Sequence, residues 1–535
     1  MTTTWDYVVV GSGFGGSVSA MRLAEKGYSV LVLEKGKRYR DEDFAKSNWA
    51  FWKYLWNPLL RSFGILQISL LDGMLILHGS GVGGGSLGYA NVLMEPDDAL
   101  FEAPGWRHLA DWKTVLRPHY TTAKRMLGVA RTPRLFAADE TLRLVAKERG
   151  SEDGFQATEV GVLFGEESTE GQEIPDPYFD GEGPARSTCI HCGACMVGCR
   201  HNAKNTLVKN YLYFAEKYGV KILAERELTD IRPLPGGQDD EARYELLHRS
   251  STALLGRSNQ NLRARNVVLS AGVLGTLKLL FHCRDVSASL PKISPRLGDE
   301  VRTNQEALQG ATSRTAKEDF SQGVAIASTY QADQQTIIQA VRYPAGSSLM
   351  RFLAAPLSAG GHILKRIVQA SLYWLIRPID FLRAYILPGW ATRTTILLVM
   401  QRAESRMRLR LGRSPWALFR RGLVSQQDEG AAIPASVDLG QQITRSFAEK
   451  INGIPAGSLS EGLLGMPATA HIMGGCSMGE DASKGVLDLN CQLHNYPGIY
   501  VVDGSIMPAN PGINPSLTIT ALAEYAMSHI QKKLQ

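Results

Sequence analysis

Cysteine is scarce in this chain, seven among 535 residues, and three of the seven, Cys283, Cys476 and Cys491, stand isolated in sequence. That spacing excludes the disulfide framework of a small secreted domain. Also missing is any apolar run long enough to span a bilayer, since the best candidate, IVQASLYWLI from Ile367, is closed by Arg366 and Arg377. Charge of one sign does not dominate. The net charge is +6, and the densest basic run, residues 406–422, reads as a solvated face, so no nucleic-acid partner is expected. Repeats and low-complexity tracts are absent, and 44% hydrophobic with 21% charged residues is the composition of an ordinary globular enzyme. At about 150 residues per domain the length predicts two or three domains. An apolar strand begins at Trp5, leaving no room for a secretory leader, so a cytoplasmic protein is expected.

What the chain does have is glycine, 53 residues of it, gathered at turns suited to a nucleotide. Residues 5–10, WDYVVV, predict a strand; Gly11, Gly13 and Gly16 fit G-x-G-x-x-G; residues 17–26 predict a helix ended by Gly27; residues 29–34 predict a second strand. A complete βαβ unit of this form binds a dinucleotide. Its first glycine makes the tight turn, the second admits a pyrophosphate to the helix N-terminus, and the third lets helix and strand pack closely. Glu34 ends the second strand, where a carboxylate accepts hydrogen bonds from ribose hydroxyls and disfavours a 2′-phosphate, leaving FAD or NAD.

Two further stretches suit backbone contact with a cofactor. Residues 78–91, HGSGVGGGSLGYAN, form a second glycine-rich loop that offers Gly83, Gly84, Gly85, Ser86 and Asn91. Residues 266–280 read as a buried strand that turns through Ala271 and Gly272 into a helix.

The other four cysteines crowd into CIHCGACMVGC, where Cys189, Cys192, Cys195 and Cys199 follow C-x2-C-x2-C-x3-C. Gly193, Ala194 and Gly198 between them let the backbone wrap tightly. Zinc ribbons separate two C-x2-C knuckles by a long spacer, so this spacing favours an iron-sulfur cluster, 4Fe-4S or 3Fe-4S, over zinc or metal-free thiols. Arg200 stands where two-cluster ferredoxins have proline. Either Cys199 closes the cluster or a distant cysteine, Cys283, Cys476 or Cys491, does.

Residues 469–479, TAHIMGGCSMG, and 500–524, YVVDGSIMPANPGINPSLTITALAE, resemble the glucose-methanol-choline (GMC) oxidoreductases, most closely their cholesterol-oxidase-like bacterial branch. The likeness extends to most of the chain and is weakest between about residues 300 and 460. It implies that His471 is the active-site histidine, that Asn514 is its partner near the flavin, and that Asp503 and Gly504 hold the ribityl and phosphate region of FAD. It also implies that the helix opening at Pro515 and Ser516 faces the flavin pyrimidine ring. The chemistry agrees: oxidising an alcohol moves a hydride to the flavin and a proton to a base, a role that suits histidine. Sterol oxidases that shift the steroid double bond use a glutamate from the substrate domain, but residues 384–401 hold no acid, and Glu404 beyond them reads as solvent-facing.

The resemblance implies an α/β fold, α+β overall: a Rossmann-like FAD-binding domain with a substrate-binding domain built on an antiparallel sheet. The FAD domain is expected from residues 1–45, 78–127, 189–290 and 465–535, with a lid at 46–77, a connecting, cofactor-covering segment at 128–188, and the substrate domain at 291–464. The aromatic, apolar residues 49–71 and 351–390 suit a bulky, sterol-like or lipid-like alcohol, and suggest either substrate-domain core or an interfacial patch in peripheral contact with a membrane. Some GMC dehydrogenases use an iron-sulfur cluster to drain electrons from the flavin, so an external electron acceptor is expected. The alternatives are an oxygen-using enzyme in which the cysteine loop has no redox role, and a GMC sugar or polyol dehydrogenase.

Overall fold

The strand Thr4–Val10 is buried from Asp6 onward, because its valines are covered on both faces in the middle of a sheet. It pairs in parallel with Val30–Leu33 on one side and Gln260–Leu269 on the other, Val8 standing opposite Leu31 and Val267. The computed structural model describes residues 4–71, 73–235, 241–254, 258–357, 362–403, 405–413, 421–427 and 437–534; Glu404 and part of the basic run 406–422 lie outside the described residues. Lys221–Leu223 extends this sheet beyond Val30–Leu33. The antiparallel strands Tyr244–Ser250 and Arg226–Pro233 extend it from Gln260–Leu269, whose C-terminal half also pairs with Ile499–Val501. The sheet therefore draws its strands from both ends of the chain.

The first helix, Phe14–Glu25, starts earlier than the sequence pattern predicts. The reason is steric. A Cβ on Gly15 would stand 1.7 Å from the Val502 carbonyl oxygen, and one on Gly16 2.0 Å from that of Gly11. Only glycines let the first turn sit so close to two strand ends, which puts that turn at the cofactor side of the sheet.

A second sheet of seven strands is antiparallel throughout, in the order Ala354–Pro356, Gly453–Ser458, Ala307–Ser313, Thr394–Gln401, Thr336–Val341, Ile326–Gln331, Phe155–Ala157. The helix Asp438–Lys450 covers one face through Ile443 and Phe447, which pack with Leu397 and Val399. The fold is thus a Rossmann-like α/β layer joined to an antiparallel sheet. Between them runs the hairpin Leu66–Leu71 and Met74–Gly79, whose second strand pairs in parallel with Ala468–Thr469, directly before His471. Among the described residues no helix is long and apolar enough to cross a membrane.

Candidate active site

Three helix N-termini, none closed by a side-chain cap, meet on one side of the Rossmann sheet: those of Phe14–Glu25, Gly272–Asp285 and Ser516–Ser528. Their closeness is steric fact. A Cβ on Gly11, where φ is +96°, would lie 2.2 Å from the Ser270 carbonyl oxygen; one on Gly84 would lie 2.5 Å from the Gly13 Cα; one on Gly504 would meet Val273 and Ile519. Uncapped N-termini present free amides and partial positive charge, the form of site that takes a pyrophosphate. Gly13 and Gly272 line the opening, since a Cβ would find nothing nearer than 4.0 Å at the first and nothing within 4 Å at the second. The residues present therefore fit a dinucleotide.

Several expected cofactor residues already have protein partners. Glu34 Oε2 accepts from the Ser12 amide and hydroxyl at 3.1 and 2.8 Å, while Oε1 accepts from the amides of Gly36 at 2.8 Å and Gly81 at 3.4 Å. Here the carboxylate ties the first glycine turn to the second glycine loop. Ser86 donates to the Gly83 carbonyl and accepts from the Leu207 amide, holding the turn Gly84–Leu87, in which Gly85 faces the Phe14 ring. Asp503 accepts from the Ser505 amide and hydroxyl and from Thr276, whose oxygen in turn takes the Ala271 amide. Burial pushes the Asp503 carboxyl up. Asn91 is fully buried at a φ of +72° and its side chain lies beside Cys195.

His471 and Asn514 come together. Asn514 Nδ2 is 3.4 Å from His471 Nε2, and the buried Asn514 Oδ1 has no partner among the described residues. On the other side of the ring, Glu306 Oε1 contacts Nδ1, and Asn304 Nδ2 lies 3.3 Å from the same nitrogen. The Glu306 carboxylate is buried, and its second oxygen accepts from the Ala470 amide at 2.6 Å. Burial pushes its pKa up, but the charge of His471 and hydrogen bonds from His471, Thr469 and Ala470 outweigh burial and hold it below the usual carboxylate range. An acceptor-only partner at Nδ1 assigns that nitrogen the proton, leaving Nε2 as the free lone pair that faces Asn514.

Neither Glu306 nor its neighbour Glu461 is among the residues that sequence reasoning selects. Glu306 immediately precedes Ala307–Ser313, which pairs with Thr394–Gln401 from the segment 384–401, where the sequence holds no acid. Glu461 accepts from the Leu308 amide at 2.8 Å, and burial together with the charge of Glu306 raises its pKa to about 8. One signal was available: Glu306 is the last charged residue before Arg314, just ahead of an uncharged strand.

The sequence reading assigns Cys189, Cys192, Cys195 and Cys199 to an iron-sulfur cluster, and the structure does not support it. All four thiols are free and line one cavity of about 20 Å³ with His201 and Lys204, room for roughly one water. Among the described residues no three histidine, cysteine or acidic side chains are grouped to hold a metal ion. Burial raises the pKa of the Cys189, Cys192 and Cys195 thiols, that of Cys192 to about 11. The cavity does adjoin the glycine loop, because Lys204 Nζ donates to the carbonyls of Leu87, Tyr89 and Cys195 at 3.0, 2.8 and 2.8 Å.

Comparison with known proteins agrees with the fold. Residues 425–523 match the family model described as GMC oxidoreductase, and residues 9–39 match that of the NAD(P)-binding Rossmann-like domain. A cholesterol oxidase of Acinetobacter baumannii is 43% identical over 530 residues, which cover 99% of this chain and 95% of that protein. A cholesterol oxidase of Mycobacterium tuberculosis is 41% identical over 536 residues, 99% of this chain and 91% of that one. The crystal structure of pyridoxine 4-oxidase from Mesorbium loti shares the fold, with a TM-score of 0.58 at 16% identity over 98% of this chain and 99% of that one.

Proposed function

This chain belongs to the GMC oxidoreductase family as an FAD-dependent, cholesterol-oxidase-like alcohol oxidoreductase, and from that premise we propose that it oxidises the hydroxyl of a bulky, sterol-like alcohol with oxygen as acceptor. The three helix N-termini would hold FAD, which would supply the hydride acceptor. His471 Nε2 takes the hydroxyl proton as the carbon–hydrogen bond gives up its hydride, so the alcohol leaves as a ketone. Glu306 keeps Nδ1 protonated and stabilises the imidazolium that forms. Asn514, uncharged, turns the hydroxyl toward Nε2. The carrying observation is the arrangement at His471, with a buried carboxylate on one nitrogen and Asn514 on the other.

The substrate class rests on the relatives, both cholesterol oxidases by name, and on the aromatic, apolar segments 49–71 and 351–390. Steady-state turnover with cholesterol, glucose and a long-chain alcohol tests it, first with oxygen and then with a dye. Cholesterol with oxygen is expected to be fastest. Preference for glucose overturns the substrate class, and preference for the dye overturns the acceptor.

A second reading keeps the iron-sulfur relay to an external acceptor, and one observation favours it: four thiols line a single cavity beside the flavin loop. Iron and acid-labile sulfide in anaerobically purified protein would establish that reading.

A further inference from the structure

The helix Ile363–Ile376 has fourteen residues and buries none of them. Leu375, Ile376 and Leu364 are 77%, 75% and 66% exposed, and Ile379 and Ile386, just beyond the helix, are 62% and 59% exposed. An apolar surface of this extent on a folded chain marks an interaction site. The projection is built rather than frayed. Trp374 packs edge-on against Phe381 and Tyr385, and Arg351, itself buried, donates to the carbonyls of Tyr385 and Leu387 at 3.0 and 3.1 Å. Arg351 also lies over the rings of Trp49 and Phe352, which meet each other at 6.0 Å, so the surface continues into the segment after Trp49.

Its charges identify the occupant. Lys365, Arg366, Arg377 and Arg383 flank the apolar residues, and the only acid within 362–390 is Asp380. Asp380 is buried and accepts from Arg314 at 2.9 and 2.7 Å, so it offers nothing to a partner. A second copy of this chain docking here would set arginine against arginine. Negatively charged lipid complements both features, with phosphates for the basic side chains and acyl chains for the aliphatic ones. Fourteen residues rise about 21 Å, too short to cross the roughly 30 Å hydrocarbon core; the helix lies in the interface plane.

We propose that the helix Ile363–Ile376 and its continuation to Leu387 form a docking surface for an anionic lipid bilayer. The surface reaches the active-site side of the molecule: Arg366 donates to the carbonyl of Glu461, whose carboxylate accepts from Leu308, two residues from Glu306.

The test uses the full holoprotein and sterol-free vesicles, so it stands independently of the alcohol chemistry. Flotation with phosphatidylcholine vesicles is compared with flotation on vesicles that also contain phosphatidylglycerol, at low and high salt. Binding is expected on the anionic vesicles, weakened by salt, and reduced about tenfold or more in the Leu375→Asp, Ile376→Asp double variant. Both side chains are exposed, so flavin content is expected to match that of the wild type. A second variant, Lys365→Glu with Arg377→Glu, is expected to lose the preference for anionic lipid. Flotation with neither vesicle overturns the proposal, as does undiminished binding by the aspartate variant. A wild-type dimer in sedimentation velocity that the aspartate pair splits into monomers assigns the face to a second copy, and overturns it too.

Discussion

The carboxylate of Glu306 closes on Nδ1 of His471 from the position just before a strand of the antiparallel sheet, while the imidazole itself comes from the segment leading back into the Rossmann layer. The two sheets thus meet at a charged contact, and the carboxylate sets which nitrogen of the histidine is left free. Glu306→Gln keeps the shape and removes the charge. The plateau of anaerobic flavin bleaching by alcohol is expected to fall about tenfold to a hundredfold, because the imidazolium that forms loses its counter-charge. A purely structural role for Glu306 would leave the isosteric Gln variant near the wild-type rate.

His471→Ala is expected to slow anaerobic bleaching by about a hundredfold or more while FAD stays bound, since a general base contributes roughly 10² to 10⁴ and the glycine turns lie elsewhere. Asn514→Ala, which removes only the orienting amide, is expected to cost the same or less. Rapid-mixing spectrophotometry under argon reads both. Wild-type bleaching in His471→Ala would remove it as the base.

Why His471 and Asn514 are legible in the sequence and Glu306 is not follows from the range over which each signal acts. The glycine turns and the two C-terminal motifs are local patterns whose function needs neighbouring residues. Glu306 acquires meaning only through a partner more than 160 residues away, and it sits where the likeness to the family is weakest. The antiparallel sheet collects strands from Phe155 to Ser458, so no window of sequence shows it whole. In the cysteine loop the spacing brings the four sulfurs together and the fold sets them around one cavity, but only the fold reveals how deeply they are buried and how small the space between them is.

The glycines separate folding from cofactor binding. Gly16→Ala drives a Cβ to within 2.0 Å of a backbone oxygen, and is expected to lower stability by about 1–3 kcal/mol. Gly13→Ala meets no protein atom nearer than 4.0 Å at an ordinary φ of −73°. It is expected to keep the apoprotein's denaturation midpoint and to weaken FAD binding about tenfold or more, by crowding the pyrophosphate approach. Titration of apoprotein with FAD, beside urea denaturation, distinguishes the two. Equal loss of stability in both variants would place Gly13 in packing alone.

Glu461 links stability to pH. Its pKa is raised to about 8 in the folded protein from an ordinary 4.5, so the neutral acid is the form the fold accommodates. A raised carboxyl contributes its full stability below about pH 4.5 and loses it as pH rises toward 8. The loss is on the order of 4 kcal/mol. Glu461→Gln keeps an oxygen for the Leu308 amide and carries no charge at any pH. The variant is expected to be more stable than wild type at pH 8 and to lose much of the slope between pH 5 and 8, measured by urea denaturation of the holoprotein. Parallel stability curves for the two proteins would mean that Glu461 is solvated when charged.

The cysteine loop is where the two readings of electron transfer part. If oxygen takes the electrons directly, the thiols of Cys189, Cys192, Cys195 and Cys199 pack around a small cavity, and Lys204 ties that cavity to the glycine loop. Cys192→Ser changes one partly exposed thiol in that wall. Turnover of cholesterol with oxygen is then expected to match wild type within about twofold, because neither the base nor the three helix termini are touched, and a conservative change beside a cavity costs little. Elemental analysis of anaerobically purified wild-type protein is expected to find no stoichiometric iron or sulfide. Iron and sulfide in the wild type, lost in Cys192→Ser along with turnover using a protein-borne acceptor, would reverse the assignment, since only a bound cluster couples that thiol to the acceptor while leaving anaerobic bleaching by alcohol intact.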